Sequence, residues 1–340
     1  MFGLGWLRAL TDARGLLEHA HHGVPRLGEG YTTDDNARAL LYLSLLPEGA
    51  RDEGLVRTYL AFLLHMQKED GRVRNGLTLD GRFEDEGEAE DPTGRAVLAL
   101  AAAQRLPPPY AGPAREALLR ALPALEGFTS LRGRAYALLG LLALPKEPFL
   151  EAAEALGEGL LRAFREAEPA WPYPGPLTYA NHRPVEALYA YGLAFRRQEA
   201  VALARRALAF LKEHYFTPGE EGLFFDPVGN RFMARGRDKP LFDQQPIEAK
   251  CALLAHLRFG ERVLAEVAFL WFHGRNRLRA PLVDAFGPMD GLTPHGPNQN
   301  RGAEALLAYL LAWQALVQGV FPQVDEGVAL GRVFALGGRP

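Results

Sequence analysis

Apolar residues recur along this chain at helical spacing, three and four positions apart, and strand-like alternation is almost absent. The Ala/Leu-rich segments predict twelve helices, over about 4–21, 34–47, 52–68, 91–106, 112–126, 130–144, 147–167, 182–194, 196–215, 244–257, 259–273 and 298–317. Pro and Gly gather between them, notably in 22–31, 107–113, 168–176, 216–229, 236–240 and 281–297. No linker divides the chain by composition. One domain over 1–317 is therefore expected, with 318–340 a tail that is packed on it or partly irregular.

Every second helix opens in the same way. Near its start a charged residue precedes an alanine: Arg38-Ala39, Arg95-Ala96, Arg134-Ala135, Glu186-Ala187, Glu248-Ala249 and Glu304-Ala305. The intervals are 57, 39, 52, 62 and 56 residues. Four places before each pair's first residue stand Asp34, Asp91, Ser130, His182, Gln244 and Asn300, all polar and several of them favoured helix caps. Pro92, Pro184 and Pro246 fall in first turns, where a proline costs little. Two helices per unit and six units predict an all-α (α/α)6 toroid. Six parallel inner helices would then bring their N-termini together at one end, around a polar pocket.

Composition narrows the partners. Net charge is −3, which argues against a nucleic-acid-binding stripe or an anchor for anionic membranes. No apolar run of membrane-spanning length occurs, and Leu4–Leu10 is broken by Arg8, so neither a span nor a signal peptide is expected and the chain reads as cytoplasmic. Cys251 is the only cysteine, which excludes a disulfide framework and a Cys-rich zinc site. The His19-Ala20-His21-His22 cluster lacks a completing carboxylate or cysteine at ligand spacing, so no metal and no cofactor is expected. Arginine outnumbers lysine 33 to 5, which suggests a GC-rich, thermophilic source.

The loops entering the inner helices carry carboxylates, amides, arginines and aromatics. This is the inventory a sugar requires: aromatic faces for the pyranose ring and polar groups for its hydroxyls. Paired carboxylates can also act as general acid and base at a glycosidic bond. The catalytic candidates are Asp35, Asp91, Asp243 and Glu248, expected to converge in one pocket. The substrate-binding candidates are Tyr31, Asn36, Arg38, Arg95, Trp171, Tyr179, Asn181, His182, Gln244, Gln245, Asp290, Asn298, Asn300 and Glu304. Asp34 reads as a cap, which leaves Asp35 free. Glu186, Glu248 and Glu304 are expected to pair with Arg38, Arg95 and Arg134 across the ring. Trp171, Tyr173 and Tyr179 are expected at the pocket rim.

Four segments together resemble a bacterial family of six-hairpin glycosidase-like proteins. They are Gly30-Tyr31-Thr32-Thr33-Asp34-Asp35-Asn36-Ala37-Arg38-Ala39, Glu90-Asp91-Pro92-Thr93-Gly94-Arg95-Ala96, Asp243-Gln244-Gln245-Pro246-Ile247-Glu248-Ala249 and Asn298-Gln299-Asn300-Arg301-Gly302-Ala303-Glu304. The resemblance implies an (α/α)6 fold and association with carbohydrate. Members are often encoded beside glycosyltransferases or mannoside-acting enzymes, so a functional link to a glycosyltransferase is implied as well. An inverting glycoside hydrolase acting on an oligosaccharide or glycoconjugate is the class default, by analogy. A sugar epimerase on the same fold would need paired bases, for which His182, His273 and His295 are candidates. A glycan-binding partner of a glycosyltransferase would need no acid–base pair.

Overall fold

The computed structural model describes residues 3–84, 90–144 and 146–319. Apart from its first two residues, the expected tail lies outside them, as do Asp85, Glu86 and Glu88 of the acidic loop. The described residues form twelve α-helices: α1 Leu4–Ala9, α2 Thr33–Leu45, α3 Glu53–Met66, α4 Glu90–Ala102, α5 Pro108–Leu125, α6 Leu131–Leu141, α7 Phe149–Glu166, α8 His182–Ala194, α9 Gln198–Tyr215, α10 Pro246–Arg258, α11 Arg262–Leu270 and α12 Ala303–Gln318.

The even-numbered helices form a closed ring. Each packs on the next, from α2 to α4 and on through α12, and α12 returns to α2. Nearly every residue of these helices is buried, because they touch neighbours on both sides and an outer helix behind. The outer helices bury one face only; α7 and α9 alternate apolar and charged stripes. Gly94 and Gly133 explain how closely α4 and α6 approach. A Cβ on Gly94 would lie 2.4 Å from the Gly133 carbonyl oxygen, so only glycine fits.

Three expectations need correction. The first helix stops at Ala9 rather than running to 21. Asp12 there accepts from the Arg14 and Gly15 amides, forming a turn, and the following residues make isolated bridges, Leu16 with Thr11 and Leu17 with Tyr31. Secondly, the loops hold five short antiparallel ladders: β1 Ala20–His21 with β2 Val24–Pro25, β3 Tyr31–Thr32 with β4 Gly76–Leu77, β5 Phe216–Gly219 with β6 Gly222–Phe225, β7 Val283–Asp284 with β8 Gly287–Pro288, and β9 Gly291–Thr293 with β10 Gly296–Asn298. Strands of two to four residues are too short to show alternation. Thirdly, of the favoured cap types among those six, Asp34, Asp91, Ser130 and Asn300, only Ser130 occupies the cap position, accepting from the Gly133 amide. Thr32 caps α2, and Asp34 lies inside the helix.

Among the described residues no helix is long and apolar enough to cross a membrane.

Candidate functional site

At the N-terminal end of the ring a cavity of about 310 Å³ is lined by Glu18, His19, Thr32, Asp34, Asp35, Arg38, Asn75, Gln245, Asp290, Gly302, Glu304 and Ala305. Its geometry begins in the first turn of α2. Thr32 Oγ1 accepts from the Asp35 amide at 3.2 Å and donates to Asp35 Oδ2 at 2.8 Å. One turn on, Arg38 forks: Nη1 donates to Asp35 Oδ1 at 2.5 Å, and Nη2 reaches Glu304 Oε2 on α12 at 3.3 Å. Arg95 on α4 donates to Asp34 Oδ2 at 2.5 Å. The Gly302 amide donates to Asp290 Oδ1 at 2.5 Å. Three inner helices and the loop before α12 therefore hold these carboxylates around one opening.

Their environments differ. Asp35 is buried, and burial raises its carboxyl to about 6, with Glu304 and Glu18 adding to the effect and Arg38 and Thr32 opposing it. Burial also raises Asp290. The Glu304 side chain remains 40% exposed at the cavity. A hydrogen bond to Glu18 raises His19.

A second cluster lies around the ring. Asp91 accepts from Arg132 Nε at 2.8 Å, from the Tyr179 hydroxyl at 2.7 Å and from Ser130 Oγ. Burial alone would raise Asp91, but these hydrogen bonds and the Arg132 charge outweigh it and hold the carboxyl low. The Arg132 guanidinium lies 4.0 Å above the Tyr179 ring. Glu248 accepts from the Ala180 amide, while its Oε2 is buried without a partner. Burial raises Glu248 to about 7, with Glu304 adding and the Ala180 bond and Arg132 opposing.

The expected convergence of all four catalytic candidates does not occur at the cavity. Asp35 lines it, as do the binding candidates Arg38, Gln245, Asp290 and Glu304. Arg95 reaches it through Asp34. Asp91 and Tyr179 belong to the second cluster, and Glu248 is buried beside it. Asp243 is exposed in the loop before α10, away from the cavity lining.

The other candidates are occupied in building the walls. The Tyr31 hydroxyl donates to Asp12, and Asn36 accepts from the Leu16 amide. Asn181 donates to Tyr215, and Gln244 bridges Asp226 and Trp271. Asn298 accepts from the Asn300 amide. Trp171 and Tyr173 are buried and line a separate surface depression of about 630 Å³, while Tyr179 alone of the three aromatics meets a candidate carboxylate. Of the expected cross-ring pairs only Arg38 with Glu304 forms; Glu186 holds Arg183 and Arg258, and Arg134 binds backbone carbonyls. His182 is fully buried with neither ring nitrogen partnered, and burial keeps it neutral. His273 packs on Phe269 and Tyr309, and His295 lies in the β9–β10 turn.

Sequence reasoning missed Glu18, His19, Thr32 and Asn75 as lining residues. Glu18 and His19 fall within the over-extended first helix, and Asn75 reaches the cavity because β4 pairs with β3. Among the described residues no three His, Cys, Asp or Glu are arranged to hold a metal ion.

Solved structures share this architecture across nearly the whole chain. A cellobiose 2-epimerase from Bacillus thermoamylovorans superposes with a TM-score of 0.68 at 9% identity, covering 91% of this chain and 95% of its own. A D-mannose isomerase gives 0.67 at 10% identity, covering 93% and 95%. The chain is an (α/α)6 toroid. An α-mannanase from Bacteroides thetaiotaomicron gives 0.62 at 11% identity, covering 98% and 95%. No protein-family model and no curated protein matches the sequence.

Proposed function

We propose that this toroid is a carbohydrate-active enzyme that hydrolyses a glycosidic bond of an oligosaccharide at the N-terminal mouth of the ring. The observation that carries this is the Asp35–Arg38–Glu304 unit. One guanidinium holds two carboxylates whose surroundings differ: Asp35 is buried with a raised carboxyl, and Glu304 is open to the cavity. A pair separated in this way divides into a proton donor and a proton acceptor. Asp35 protonates the leaving oxygen, and Glu304 draws the proton from an attacking water. Asp290 and Gln245 supply acceptors and donors for sugar hydroxyls. The second cluster of Asp91, Arg132 and Tyr179 lies further round the ring, where a longer substrate would extend.

Similar folds belong to proteins named as epimerases and isomerases as well as to a mannanase, so the fold alone does not choose between these reactions. The lining supports hydrolysis. Among the described residues that line the cavity His19 supplies the one imidazole, which argues against a pair of histidine bases there.

The test is product-resolved turnover on neutral gluco- and manno-oligosaccharides, with anomers followed by NMR, for the wild type, Asp35→Asn and Glu304→Gln. Cleavage with inversion that both variants abolish supports the assignment. A C2-epimerised product without cleavage would replace it with the isomerase chemistry. Binding that survives in both variants, with no turnover in the wild type, would leave a glycan-binding protein.

A further inference from the structure

One turn below the mouth, the inner ring holds a group of buried donors that the protein does not satisfy. Arg38 Nε on α2, Arg95 Nε on α4, the Tyr136 hydroxyl on α6 and Arg183 Nε on α8 are all buried without a hydrogen-bond partner. Lys250 on α10 is 2% exposed and has no hydrogen bond or ion pair among the described residues. These side chains belong to one locality. The Tyr136 ring lies between Arg95 at 4.7 Å and Arg183 at 5.6 Å, and Lys250 is within electrostatic range of Arg38, Arg95 and Arg183.

Each guanidinium already has its counter-charge: Asp35 and Glu304 for Arg38, Asp34 for Arg95, and Glu186 for Arg183. Lys250 has none. A buried ammonium with neither acceptor nor counter-ion is among the costliest groups a protein can contain. Burial lowers Lys250 to about 7, with the three arginines acting in the same direction. Unmatched donors come from five of the six inner helices and outnumber the two unmatched carboxylate oxygens there, Asp34 Oδ1 and Glu248 Oε2, and those helices point their positive ends toward this end of the ring.

We infer that the axis of the toroid holds a small monovalent anion of chloride size, bound between Lys250, Tyr136 and the Nε groups of Arg38, Arg95 and Arg183. An anion accepts from several donors at once and brings no hydrogen that needs an acceptor. It supplies the charge that Lys250 lacks. A phosphate or uronate on a substrate fits less well, because the mouth that a sugar would enter is lined by Glu18, Asp34, Asp35, Asp290 and Glu304, which repel a charged sugar. Arg38 is shared with the catalytic unit, but the site is tested at Lys250, which the proposed reaction does not use, so it can stand or fall separately from the hydrolase assignment.

The experiment uses the full chain, exchanged into sulfate buffer at pH 7 and titrated with chloride, bromide or nitrate at constant ionic strength. The unfolding midpoint should rise saturably. For 340 residues a hundredfold excess over the dissociation constant raises it by about 4 °C. Crystals grown with bromide should show an anomalous peak among the five side chains. Lys250→Met should lose the halide-dependent rise, and Lys250→Arg should retain it. If Lys250→Met does not fold, the wild-type titration and the bromide peak still decide. A midpoint insensitive to halide, or ordered water bridging the donors to Asp34 or Glu248 with no bromide among them, would overturn the inference.

Discussion

Asp35→Asn should produce a protein that is more stable and catalytically dead. The carboxyl rises from 3.8 in a solvated chain to about 6 in the fold, which at 1.36 kcal/mol per pK unit corresponds to about 3 kcal/mol. The sign follows from proton binding. Between those two values the folded protein holds more protons than the unfolded chain, so stability falls as pH rises. Above pH 6 the full penalty of ionised, buried Asp35 is present; below 3.8 it is absent. Asparagine mimics the protonated form. Its carbonyl can face Arg38 and its amide can donate to Thr32, while Arg38 keeps Glu304. At pH 7 the variant should melt higher by about 4 °C for a 340-residue chain. The gain should shrink as pH is lowered from 6 toward 4. Thermal unfolding of both proteins over that range, beside turnover at pH 6, measures it. A variant less stable than wild type at pH 7, or a gain independent of pH, would refute the picture of a carboxylate held ionised at a cost. A stabilised variant with unchanged turnover would remove Asp35 from the chemistry.

Other outcomes follow from the same geometry. Glu186→Gln leaves Arg183 and Arg258 buried without their shared counter-charge and should cost about 3–5 kcal/mol in urea unfolding at neutral pH. Burial opposes the ionised form of Glu186, but the two arginines hold its carboxyl below 4.5, so in the wild type this contribution is present above that pH and is lost on acidification. Gly94→Ala drives a methyl toward the Gly133 carbonyl and should destabilise by roughly 1–3 kcal/mol, read from the denaturation midpoint. His182→Phe removes a buried imidazole with no partner and should leave both fold and turnover intact; lost turnover in a folded variant would bring back histidine-based epimerisation.

The helices were legible because their causes are local. A period of 3.6 residues, Ala/Leu-rich faces and Pro/Gly punctuation depend on neighbours in sequence, and all twelve helices appear. The recurring charged residue before alanine revealed six equivalent helices, because each must place a polar first turn at the same end of the ring. In the first helix, by contrast, the apolar pattern continues past Ala9 while the backbone does not, since a local turn at Asp12 interrupts it and Leu16 then pairs with Asn36, 20 residues away.

The site shows the same division. Sequence could assemble the carboxylates, amides and arginines, because their types follow from the motifs that open the inner helices. It could not assign them duties. Asp34 and Asp35 are adjacent and chemically alike, yet Asp34 turns to Arg95 of the next helix, while Asp35 is buried against Thr32 and Arg38. Glu186, Glu248 and Glu304 occupy equivalent places in their helices, yet one is locked between two arginines, one is buried beside a backbone amide and one opens to the cavity. A carboxylate's burial and counter-charge are set by the facing helix, which lies tens of residues away in sequence. Local pattern therefore determined that six polar helix starts meet, and only ring closure decided which carboxylates are open to the cavity, which are paired and which have a raised pKa.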